Sequence, residues 1–89
     1  MLRNRIAMNQ ITSERIALIR QIHEAAKAQG LSMYDLSDRT GLTGKPIRQP
    51  HIYKYLSGEN MTLDSFLRLA HAAGCRVRIE KDDAVGHGI

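Results

Sequence analysis

Glycine punctuates this chain at the intervals of short helices. Gly30, Gly41, Gly58 and Gly74 each close a stretch in which apolar residues recur every three or four positions. A glycine just past a helix end takes the left-handed conformation at no steric cost, so the pattern predicts four helices. The stretch that follows, CRVRIE, alternates instead: Cys75, Val77 and Ile79 on one side, Arg76, Arg78 and Glu80 on the other. That alternation predicts a half-buried strand.

Local signals set the helix boundaries. The first helix is expected from about Ser13 to Gln29, capped by Thr12 or Ser13, with Glu14 in its positive first turn. Leu18, Ile19, Ile22, Ala25 and Ala26 fall on one face, opposite Arg20, Glu24 and Lys27. Ser32 followed by Asp35 makes a capping-box start for a short helix, Met33 to Thr40, with Leu36 inward. Pro50 suits a first helical turn, so a third helix is expected from Gln49 to Ser57. Its apolar stripe is Ile52, Tyr55 and Leu56, which leaves His51, Tyr53 and Lys54 outward. Thr62 caps the fourth helix, with Asp64 in its first turn and Leu63, Phe66, Leu67, Ala70 and Ala73 inward.

The expected organisation is one small all-α bundle with an added strand. Residues 1–12 form an N-terminal arm, 13–74 the helical domain, 75–81 the strand and 82–89 a frayed tail. A lone strand leaves its edges unpaired, so it needs a partner. Either the N-terminal LRNRIAM or a second copy could supply one. The second is favoured here, so Cys75, Val77 and Ile79 are expected to dimerise and the protein to be a homodimer.

Charge is distributed unevenly. Residues 39–58 carry Arg39, Lys45, Arg48 and Lys54 and no Asp or Glu, while the other 69 residues balance at nine basic and nine acidic. The whole formal excess of +4 therefore sits in one segment, as a footprint for an anionic polymer would. Apolar runs are too short to span a membrane, and no signal-peptide pattern opens the chain. One cysteine, Cys75, forms no internal disulfide, and the reducing cytoplasm is the expected compartment.

Taken in order, GLSMYDLSDRTGLT, IYKYLSG and TLDSFLRLAHAAG resemble the lambda-repressor/Cro-like, or XRE-type, helix-turn-helix family over residues 13–74. The matching elements are Gly30-Leu31-Ser32, Leu36-Ser37, Gly41, Thr43, Ile52 with Tyr55 and Gly58, and Leu63 to Ala73. A small Ser37 suits a close helix crossing, and Gly41 a sharp turn. The resemblance implies a transcriptional regulator of repressor type that binds double-stranded DNA as a homodimer. In such folds the second helix of the motif reads the major groove. Gln49, His51, Tyr53 and Lys54 would then face bases, and Arg39, Thr43, Lys45, Arg48 and Asn60 would meet phosphates. Short members of the family are often antitoxins, which makes a protein toxin the alternative partner.

Three departures from the family pattern stand out. About five residues, GKPIR, are inserted before the reading helix; Met33 replaces a phosphate-anchoring Gln; Leu56 replaces a frequent Glu. Other chemistries find little support in the residues. GLTGKP lacks the glycine spacing and the Ser or Thr of a phosphate loop. His23, His51, His71 and His87 show no paired ligand spacing, so neither metal nor other cofactor is expected. Arg3 and Arg5 read as solvated, and no nucleophile–base set points to an enzyme.

Overall fold

The computed structural model describes residues 2–81, with side chains from residue 9 onward. Four helices follow in order: α1 (Leu2–Ala28), α2 (Met33–Thr40), α3 (Gln49–Leu56) and α4 (Leu63–Ala72). The all-α expectation holds among these residues, and α2 to α4 fall where caps and stripes predicted them. The predicted tail, 82–89, lies outside the described residues.

Two predicted boundaries are corrected. The N-terminal arm is helical: α1 begins at Leu2, and Thr12 and Ser13 lie within it rather than capping it. Residues 2–12 contain neither proline nor glycine, so nothing in them interrupts a helix. The helix is therefore about 40 Å long at the usual rise per residue. The predicted strand at 75–81 is absent: these residues are irregular, with Val77 41% and Ile79 96% exposed. A strand requires a neighbouring ladder, and the LRNRIAM segment that could have supplied one inside the chain is committed to α1. Cys75 is half-buried against the chain's own core, its amide donating to Ala70 O at 2.8 Å.

The core collects Ile19, Ile22 and Ala26 of α1, Leu36 of α2, Ile52 of α3 and Leu69, Ala70 and Ala72 of α4, with Ala73 beyond. Ile47 joins them from the α2–α3 connection. The inward stripes are narrower than their sequence patterns: Leu18 and Leu67 are each 45% exposed, and Leu63 is 71% exposed. These leucines lie on the flanks of α1 and α4, beside the buried stripe rather than within it. Sequence periodicity marks a wide apolar arc, whereas packing covers only the part a neighbour reaches.

The helix starts follow elementary capping. Ser32 Oγ accepts from Asp35 N at 3.0 Å, and Asp35 Oδ2 accepts from Ser32 N at 2.9 Å, completing the predicted capping box. Thr62 Oγ1 accepts from Ser65 N at 3.0 Å, as its position predicted. One of the four glycines departs from the expected left-handed stop. Gly30, Gly58 and Gly74 do adopt positive φ, but Gly41 sits at φ −65° in ordinary helical space. Glycine is favoured there by crowding: a Cβ would lie a tight 3.0 Å from Asp38 O and 3.2 Å from Pro46 Cγ.

Candidate nucleic-acid interface

The outward surface of α3 is held in place from both ends. At its start, Thr40 is the hub. Its side chain is fully buried, and its Oγ1 donates to Ser37 O at 2.5 Å while accepting from Ile47 N at 2.7 Å. Ser37 Oγ in turn donates to Ile47 O at 2.6 Å. Both backbone polar groups of Ile47 are thus satisfied by α2 side chains while its own side chain enters the core. GKPIR, an insertion into a turn by the family pattern, is structurally a bolted connection that contributes a core residue.

Arg68, on α4, secures the middle of that connection. Its Nε donates to Thr43 Oγ1 at 3.1 Å and its Nη2 to Thr40 O at 2.8 Å; Nη2 also donates to Lys45 O. At the far end of α3, Arg15 of α1 donates from Nη2 to Gly58 O at 2.6 Å. Gly58 closes α3 at φ +107°, and a Cβ there would meet Ile16 Cδ1 at 3.1 Å. Neither arginine was recognised from sequence. Each sits beside apolar positions of an amphipathic helix and reads as its solvated edge.

Between these anchors, Ile52 is 1% exposed, with Tyr55 and Leu56 half-buried beside it. The opposite face presents three of the four residues expected to face bases. His51, Tyr53 and Lys54 are exposed, Tyr53 at 54%, and Gln49 is half-buried at the helix start. Arg48 is the N-cap residue but makes no side-chain cap hydrogen bond, and the first turn of α3 contains no acidic side chain. α2 and α4, by contrast, each have a capped start with an aspartate in the first turn. Like α1, and unlike α2 and α4, α3 therefore has no carboxylate of its own first turn to offset the positive end of its dipole.

The residues expected at phosphates are more dispersed. Arg48 and Gln49 share a cavity of about 310 Å³ with Tyr34, Asp38 and Pro50, between α2 and α3. Lys45 is exposed on the connection, and Asn60 is exposed on the α3–α4 loop, outside that cavity. Thr43 is exposed too, but its hydroxyl already donates to Thr40 O at 3.2 Å and accepts from Arg68. Arg39 leans towards α4, with Nη1 3.4 Å from Ala72 O. Tyr34, 65% exposed at the mouth of the cavity, was not singled out by the sequence and has only its polarity at a helix start as a signal.

Among the described residues, no group of three or more His, Cys, Asp or Glu side chains is arranged to hold a metal ion. No described helix is long and apolar enough to cross a membrane. Three comparisons with known proteins, against family models, curated sequences and solved structures, return no match for this chain.

Proposed function

We propose that this protein is a sequence-specific DNA-binding regulator of repressor type, acting in the cytoplasm as a homodimer that reads operator DNA with α3. The observation that carries this reading is the outward face of α3. His51, Tyr53 and Lys54 share it, with half-buried Gln49 at its start, inside the 39–58 stretch that holds four basic residues and no acidic ones. Gln can bond an adenine edge with two hydrogen bonds, and Lys can donate to guanine or a phosphate. Arg48, Lys45, Arg39 and Asn60 would flank the groove and supply sequence-independent attraction. Two copies of α3 on half-sites one helical turn apart would stand about 34 Å from each other. Val77 and Ile79, exposed on the C-terminal segment, are the proposed dimer contacts, with Cys75 behind them.

Binding to a duplex from the chain's own upstream region, titrated with salt, tests the reading. Affinity should fall steeply with salt, because phosphate contacts release counterions. Lys54→Ala should weaken specific binding by about 1–3 kcal/mol. Equal and weak binding to every duplex, unchanged by Lys54→Ala, would contradict it.

A second reading, an antitoxin that also neutralises a protein toxin, gains support from the α1–α4 side. There a cavity of about 390 Å³ is lined by Leu18, Phe66, Ala70 and Val77, next to a second one of about 300 Å³ that shares Leu18 and Phe66 and adds Met61 and Leu63. Exposed apolar surface of this kind suits a protein contact. Co-purification with the product of an adjacent reading frame, lost in Leu18→Glu, would favour it.

A further inference from the structure

We infer that Arg68 is a positioning residue for the DNA-reading surface: it uses the rigid α4 to fix the 41–48 connection from which α3 starts. This inference rests on the DNA reading proposed above and adds a residue that lies outside α3 and outside its basic segment.

Arg68 is mounted on α4 beside the core. Its neighbours on α4, Leu69 and Ala70, are 0% and 2% exposed, so its backbone belongs to the least movable part of the chain. From there the guanidinium reaches three acceptors spread along the connection: the Thr40 carbonyl, the Thr43 hydroxyl and the Lys45 carbonyl. A planar fork with several fixed donors can hold three acceptors at once, whereas an ammonium on a flexible stem holds them with less geometric definition. Gly44 accommodates this arrangement. A Cβ at that position would lie 3.1 Å from Arg68 Cζ, so the guanidinium packs over a residue with no side chain, at φ +155°.

The connection needs such a tie. Its two ends are ordered by α2, through turn hydrogen bonds at Gly41 to Thr43 and through Ile47 on Thr40 and Ser37. Arg68 holds Lys45 between them. Two of the proposed DNA contacts, Lys45 and Arg48, and the first turn of α3 follow directly. Among the described residues the one ion pair is Lys27 with Glu24, so no described carboxylate pairs with Arg68. It could therefore contribute by position or by charge alone, and these differ in an observable way.

The experiment compares wild type, Arg68→Lys and Arg68→Gln on two readouts. One is binding to the duplex enriched by wild type from a random DNA library, across a salt series. The other is amide hydrogen exchange of the free protein. With positioning, Arg68→Lys loses about tenfold in affinity despite keeping its charge, with the salt slope unchanged, and exchange quickens at residues 43–47 but not at Leu69 and Ala70. Arg68→Lys binding like wild type, with only Arg68→Gln weakened and its salt slope reduced by about one, would overturn positioning in favour of charge. Quickened exchange throughout α4 would overturn it in favour of a general packing role. If wild type itself enriches no sequence, the DNA reading fails and the positioning role with it; exchange at 43–47 then separately reports whether Arg68 orders the connection.

Discussion

Residues 41–48 and residues 75–81 are both short, basic and outside the helices, but their surroundings differ completely. The first receives side-chain hydrogen bonds from Ser37 and Arg68, donates one to Thr40 Oγ1 and buries Ile47. The second is tied by the Cys75 amide on Ala70 O and leaves Ile79 96% exposed. Sequence pattern ranks them the other way round. Prolines and glycines make 41–48 look like a loose turn, whereas strict alternation makes 75–81 look like a strand. Alternation specifies which side chains share a face, but a strand forms only where a second ladder meets its backbone. Order in a loop depends instead on whether its backbone polar groups find partners, which composition does not reveal.

The largest test of this contrast is a pair of truncations. Ile47→Ala should cost about 2–4 kcal/mol in denaturant unfolding, as for other buried large-to-small changes. Ile79→Ala, at a position 96% exposed within one chain, should stay within about 0.5 kcal/mol when unfolding is followed at concentrations where the chain is monomeric. Similar costs for both would erase the distinction. A smaller effect follows from Thr40→Val, which keeps the shape but leaves the Ile47 amide without its buried acceptor. An unsatisfied buried donor costs about 1–3 kcal/mol, again read by unfolding. A Thr40→Val variant as stable as wild type would mean that the hub is dispensable.

The smallest effect concerns pH at the start of α2, the helix that ties the connection. Hydrogen bonds from the Ser32 amide, then from the Ser32 hydroxyl, hold the exposed Asp35 carboxyl below its ordinary range, slight desolvation opposes them, and Arg39 adds a weaker downward pull. A carboxyl depressed on folding stabilises the folded chain above its unfolded pKa and loses that contribution as pH falls through the folded value. Stability should therefore decline as pH drops below about 4, and Asp35→Asn should flatten that part of the dependence. An unchanged acid profile in Asp35→Asn would show that the capping carboxylate contributes nothing measurable.

Much of the helical framework was legible because its signals are local. Ser32 with Asp35, Pro50 and Thr62 mark helix starts through bonds or constraints a few residues long, and α2, α3 and α4 begin where they indicate. The start of α1 was misread because Thr12 and Ser13 resemble a cap, and a cap is distinguishable from a mid-helix polar pair only by the backbone before it. Leu18, Leu63 and Leu67 were assigned to the core because each falls within a wide apolar arc; their exposure depends on how far the neighbouring helices reach. Ile47 was hidden between two prolines, and Arg68 reaches across 23–28 residues of sequence to its partners. The outward direction of His51, Tyr53 and Lys54 is readable from the helical period of α3, whereas Gln49 is half-buried beside the apolar stripe, and no sequence period records what any of them touches.

The central claim is that α3, clamped by α2, Arg68 and Arg15, is the surface that meets DNA. The most direct measurement is a backbone-amide NMR titration of the protein with its library-selected duplex. The account expects the perturbed amides to cluster between Lys45 and Lys54, with Asn60 beside them and the α1–α4 side around Leu18, Phe66 and Val77 largely unmoved. Perturbations concentrated at Leu18, Leu63, Phe66 and Val77, with α3 silent, would contradict it.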